Sequence, residues 1–121
     1  MAAPNIRNPS SIVGKTVSST ITNSNTLNTI LSNSSGSDKV FKINSIFAAN
    51  IDGSALSSVS IALVLSGTTT YIAYTIEVPA DSTQIISTKE TYFYLEENCS
   101  IQASATSASD ITVTISYEEL S

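Results

Sequence analysis

Ile111-Thr112-Val113-Thr114-Ile115-Ser116-Tyr117 carries the cleanest alternation in the chain. Ile111, Val113, Ile115 and Tyr117 take every second position, with Thr112, Thr114 and Ser116 between them. Successive side chains of a strand point to opposite faces, so this stretch reads as a half-buried antiparallel strand with its apolar set inward.

The same period recurs upstream. Val59, Ile61, Leu63 and Leu65 alternate with Ser58, Ser60, Ala62 and Val64, and Ser66-Gly67-Thr68-Thr69 turns the chain back. In the return strand, Tyr71 to Val78, the spacing puts Ile72, Tyr74, Ile76 and Val78 on one face and Tyr71, Ala73, Thr75 and Glu77 on the other. This is the strongest hairpin signal in the sequence. Val40 to Asn50 reads as a long strand that ends at the turn residues Ile51-Asp52-Gly53. Its expected faces are Phe41, Ile43, Phe47 and Ala49 against Val40, Lys42, Asn44 and Ile46. From Ile12 the chain alternates again, with Val13, Lys15, Val17 and Ser19 on one face.

Shorter strands are expected at Thr26 to Leu31, Thr83 to Ser87, Thr91 to Leu95 and Ser100 to Ala105. The polar run Ser32 to Asp38 and Pro79-Ala80-Asp81-Ser82 separate them. A series of short strands without a helix predicts an all-β fold, an antiparallel β-sandwich spanning residues 12–121. Its connectivity is either jelly-roll or immunoglobulin-like, although the Cys-Trp-Cys signature of a true immunoglobulin domain is absent. Residues 1–11 hold Pro4 and Pro9 and little to bury, so they read as an extended N-terminal arm.

Composition narrows the chemistry. The chain has no His, no Trp and one Cys, and about a third of it is Ser or Thr. Without His, the usual zinc sites and His-based triads are excluded. Only 12% of residues are charged, so hydroxyls and amides must keep the surface wet, which suits an oligomer or a particle component. The formal net charge of −5 comes without a basic cluster, which argues against nucleic acid as a partner. Glu96-Glu97 and Glu118-Glu119 read as solvated pairs. Cys99 has no partner for a disulfide and reads as a small buried hydrophobe. No stretch is long and apolar enough for a membrane span, and Met1 to Arg7 has no apolar signal-peptide region, so a soluble protein made inside a cell is expected. Asn33-Ser34-Ser35 and Asn98-Cys99-Ser100 match the glycosylation sequon by chance in so hydroxyl-rich a chain.

Three chemical readings are weighed and set aside. Glu77, Glu90, Glu96 and Glu97 supply carboxylates for a glycosidase, but period two puts Tyr71 and Tyr74 on opposite faces, leaving no stacking cleft for a sugar. Asn50-Ile51-Asp52-Gly53-Ser54 resembles part of a calcium loop without its later acidic ligand, and reads as a turn. Gly14-Lys15-Thr16 has Pro9 where a phosphate loop needs Gly. The chain is therefore expected to have no catalytic residue, no metal ligand and no cofactor. Among the tyrosines, alternation favours the core for Tyr74 and Tyr117, while Tyr71, Tyr92 and Tyr94 suit the rim or an interface equally. Those three, with Pro4, Ile6, Arg7 and Pro9 of the arm, are the candidate contact residues.

Three stretches resemble small virion structural proteins of tailed phages, particularly phages of marine cyanobacteria. They are Ala3-Pro4-Asn5-Ile6 through Gly14-Lys15-Thr16, Val40-Phe41-Lys42-Ile43-Asn44-Ser45-Ile46 into Ala49-Asn50-Ile51-Asp52-Gly53, and Ile115-Ser116-Tyr117-Glu118-Glu119-Leu120. The resemblance carries over no active-site residue and implies a non-enzymatic virion component. Foremost is a capsid decoration or cement protein that binds major capsid protein on the assembled head, often as a trimer. A tail, neck or fibre-attachment component is the alternative, followed by a carbohydrate-binding module that uses exposed Tyr for host adsorption.

Overall fold

The computed structural model describes residues 4–121. The described residues form nine strands: β1 (Ile12–Thr20), β2 (Asn28–Asn33), β3 (Val40–Asn50), β4 (Ser57–Leu65), β5 (Thr68–Val78), β6 (Thr83–Ser87), β7 (Phe93–Leu95), β8 (Cys99–Ala105) and β9 (Ile111–Leu120). They form two antiparallel sheets packed face to face, ordered β1-β9-β3-β6 with β7 also on β3, and β2-β8-β4-β5. The pairs are nested: β1 with β9, β2 with β8, β3 with β6 and β7, β4 with β5. Such a folded ribbon of nested pairs is a jelly roll. An immunoglobulin-type sandwich sets its first two strands side by side, whereas here the first strand lies beside the last.

β9 occupies the middle of its sheet and keeps strict alternation. Ile111, Val113 and Ile115 are fully buried and Tyr117 nearly so, packed with Val59, Ile61, Ile101 and Ala103 of the facing sheet. Burying each such aliphatic side chain stabilises the fold by about 1.5–3 kcal/mol. On the outer face the hydroxyls pair across strands: Ser18 Oγ with Thr114 Oγ1 at 3.0 Å and Thr20 Oγ1 with Thr112 Oγ1 at 2.9 Å. Thr thus supplies both the β-branched shape that fits a pleated surface and a cross-strand hydrogen bond. Cys99 is buried, as expected of a lone cysteine acting as a small hydrophobe.

Two strands depart from simple alternation. In β3, Ile43 faces Tyr117 and Ser45 faces Ser116, so Asn44 is an inserted residue. Phe41 and Ile43 point inward as expected, but beyond Asn44 the phase reverses: Ile46 and Ala48 are fully buried, and Phe47 and Ala49 are not. The expected partition of this strand therefore holds only for its first half. The neighbouring strand is split at the same level, since β6 ends at Ser87 opposite Ile46 and β7 begins at Phe93 opposite Ile43. Between them Lys89–Thr91 forms a 3-10 turn in a segment where sequence places strand from Thr91. Thr91 holds that turn through its side chain, which bonds the Thr88 backbone and Ser87 Oγ.

The β4–β5 hairpin turns on Ser66 and Gly67 alone, at φ 50° and 89°, the signature of a two-residue primed turn. Beyond it β5 carries two bulges. Ala62 faces Tyr71 and Ile61 faces Ala73, so Ile72 is inserted; Val59 faces Ile76, so Ser60 alone stands against Tyr74 and Thr75. Thr75 takes φ 49° there and donates its N–H to Ser60 Oγ at 2.9 Å. Ala73 and Ile76 pack against the core, whereas Tyr74, placed there by alternation, is 65% exposed.

Of the expected arm, residues 1–3 lie outside the described residues. The rest is not extended throughout: Asn5 Oδ1 accepts the Arg7 N–H at 3.0 Å and Asn5 O accepts the Asn8 N–H at 3.1 Å, which makes a turn. Ser10 and Ser11 both donate to Ser121 O, and Ser121 donates back to Ser11 O, so pairing with the end of the chain begins before Ile12.

Candidate functional site

The bulges of β5 build a concavity on the outer face of its sheet. Ala73 points inward, so its neighbour Tyr74 points out, and the inserted Ile72 returns Tyr71 to that same outer face. The two rings meet edge to face, with centroids 4.8 Å apart and planes at 72°. Simple alternation excludes this pair, and the bulges create it. Beside them runs a row of small residues from β4 and β8, with Ser60 opposite Ser104 and Ala62 opposite Gln102. Tall rings on the edge strand and a floor of Ser58, Ser60 and Ser104 leave a depression of about 180 Å³, closed at its end by Asn25 and Thr106. No charged side chain lines it.

Tyr92 and Tyr94 form a second pair on the outer face of the other sheet, with centroids 5.8 Å apart and planes at 84°. Lys42 stands opposite Tyr94 in the ladder and places its Nζ 4.5 Å from the Tyr92 ring centroid. A cation over a ring face holds the exposed pair in place and contributes about 0.5–1 kcal/mol. All three candidate tyrosines are thus exposed, but Tyr71 lies on a different sheet from Tyr92 and Tyr94. In the arm, Ile6 and Arg7 are exposed while Pro4 and Pro9 are half-buried.

A third surface is absent from the sequence reading. Where edge strands β5 and β6 run along one side of the sandwich, Ile72, Ala73, Ile76, Ile85 and Ile86, with Gln84, line a groove of about 160 Å³. Ile85 is 60% exposed at its lip. Period two already sets Ile72 and Ile76 on one face, and the register shifts of β5 bring Ala73 into the same groove.

The remaining polar constellations are structural. Asp52 Oδ1 accepts from the Ser54 N–H and hydroxyl at 2.9 and 3.0 Å, which holds its carboxyl below the usual range. Asn50 Oδ1 accepts from the Asp52 N–H, so the segment resembling a calcium loop is a hydrogen-bonded turn. Among the described residues no group of three or more Asp, Glu or Cys is placed to hold a metal ion. Glu119, with 12% of its side chain exposed, sits between Lys15 and Lys39, each 3.1 Å away. Burial pushes its carboxyl up, but the hydrogen bonds and charges of the two ammoniums outweigh that and bring it below the ordinary value. Burial, reinforced by the Glu119 charge, raises the hydroxyl of nearby Tyr117.

No helix among the described residues is long and apolar enough to cross a membrane. No protein-family model, curated protein or solved structure matches the chain.

Proposed function

We propose that this chain is a non-enzymatic structural protein of a tailed-phage virion, a decoration or cement protein that binds the outside of the assembled head and stabilises it. The observation that carries the proposal is the β5–β6 side, where edge strands of both sheets flank a groove and Ile72 and Ile85 are exposed. Free edges and exposed apolar side chains are liabilities in an isolated protein and assets where a neighbour covers them. The hydroxyl-rich surface, the absence of His and the resemblance of three stretches to tailed-phage virion proteins support the same role. The partner is major capsid protein or another virion protein, and the resemblance favours a homotrimer. Each copy adds a modest contact, and repetition over the lattice makes the sum large.

Adding purified protein to separated heads and tails, followed by reconstruction of the decorated particles, tests this. Density for the sandwich on the head lattice, with the β5–β6 side covered, is expected. Binding to tails alone overturns the head assignment in favour of a tail or neck component. Binding to neither overturns the virion role.

A further inference from the structure

We propose that the Tyr71–Tyr74 depression is a binding subsite for an uncharged sugar ring. This inference does not depend on where the chain sits in a particle.

Three observations converge on that ligand class. First, in an edge-to-face pair the ring that presents its edge keeps both of its own faces free, and these two rings stand exposed at 44% and 65%. A bare aromatic face beside a concavity suits a flat ligand with an apolar surface, such as the C–H face of a pyranose. Second, the floor offers hydrogen bonds of both kinds at short range. Ser60 Oγ already accepts the Thr75 N–H, which leaves its own O–H to donate. The Asn25 amide and the Ser104 hydroxyl make no side-chain hydrogen bond among the described residues, so both remain to engage a ligand. The lining is mainly hydroxyl and amide, so hydrogen bonds to ligand hydroxyls come from the floor and stacking from the exposed tyrosine rings at its rim.

Third, charge eliminates the competing stacking ligands. Nucleotides and sulfated or phosphorylated sugars need a neighbouring cation, and none of the lining residues carries one. The chain as a whole is at −5, which repels them further. Among uncharged ligands that can stack, a saccharide matches a floor of hydroxyls and an amide best, and the neutral nucleoside adenosine is the competitor that tests this. The depression of about 180 Å³ has room for about six waters, the space of one ring with the rest of a chain in solvent. The site is also built rather than incidental: Tyr71 and Tyr74 meet only because β5 carries bulges at Ile72 and Thr75.

The test is an NMR titration of the full chain with maltohexaose, cellohexaose, mannohexaose and galactohexaose, with adenosine and heparin hexasaccharide as competitors. At least one neutral hexasaccharide is expected to shift the Tyr71 and Tyr74 ring signals, with a dissociation constant between about 10 µM and 10 mM for so shallow a site. Tyr74→Leu keeps an apolar side chain and removes the ring face, and should weaken binding about tenfold. Ser104→Glu should do the same by placing a charge in the floor, whereas Tyr92→Ala on the other sheet should leave binding unchanged. Tyr74 is exposed, so its variant folds, and an unchanged amide spectrum outside the site verifies that. No shift with any neutral hexasaccharide, unchanged affinity in Tyr74→Leu, or tighter binding of adenosine or heparin overturns the proposal.

Discussion

Asn50 at the end of β3 and Val78 at the end of β5 belong to opposite sheets and are joined by one buried hydrogen bond, Asn50 Nδ2 to the Val78 carbonyl at 2.9 Å. The same amide donates to Ala55 O at 2.9 Å, and its Oδ1 accepts the Asp52 N–H. At the other end of the sandwich Asn33 of β2 does the same, donating to Lys39 O and to Leu95 O of β7. Each buried amide therefore pins one sheet to the other.

Replacing Asn50 by Leu keeps the branched shape and strands the carbonyls of Ala55 and Val78. A buried acceptor left without a partner costs about 1–3 kcal/mol. Asn50→Leu should lower the unfolding free energy by about 2–4 kcal/mol in urea titration, while Asn28→Leu, on a half-exposed position, should change it by less than about 1 kcal/mol. Equal effects would contradict the cross-sheet role.

Val113 is fully buried on β9 and Thr112 beside it faces outward. Val113→Asp buries a carboxylate without a partner and should cost several kcal/mol, about enough to unfold a domain of this size, whereas Thr112→Asp should cost about 1 kcal/mol through the lost bond to Thr20. Melting temperatures of the two variants check it, and similar losses would mean the strand face is wrongly placed.

Glu119 sets an acid limb. Its carboxyl lies below the ordinary 4.5 in the fold, so its contribution is fully present above that value and is lost as pH falls through the lower, folded one. Stability should therefore drop below about pH 4.5, and Glu119→Gln should flatten that drop while costing about 1 kcal/mol at neutral pH. Tyr117 sets the opposite limb: raised above 10.0, it keeps the fold stable until the solution passes that value, and Tyr117→Phe should extend the alkaline range. Urea midpoints across pH measure both limbs, and profiles unchanged in the variants would refute the assignments.

Ile85 is exposed at the lip of the β5–β6 groove, so Ile85→Lys should leave the melting temperature within about 2 °C and reduce binding to heads about tenfold or more. Sedimentation with purified heads reads it. Full binding by this variant would move the contact surface elsewhere.

Deleting residues 2–9 spares the Ser10 and Ser11 bonds to Ser121, so the sandwich should remain folded with little change in its circular dichroism. Loss of head binding by this truncation would give the arm an adhesive role, and undiminished binding would remove it.

Features that depend on near neighbours were legible along the chain. Alternation marked β9, both strands of the β4–β5 hairpin and the first half of β3, and Ser66-Gly67 and Pro79 punctuated them. The composition removed His-based chemistry before any fold was known. Features that depend on a partner strand emerged only in the folded sandwich. A bulge is a mismatch in residue count between two paired strands, and neither Asn44 nor Thr75 carries a glycine to announce it. Each insertion moves the side chains beyond it to the opposite face, which brought Ile46 into the core, put Tyr74 in solvent and set Tyr71 beside it. The jelly-roll order has the same cause: β1 pairs with β9 and β2 with β8 across nearly the whole chain, and no local pattern records which distant strand a free edge will meet.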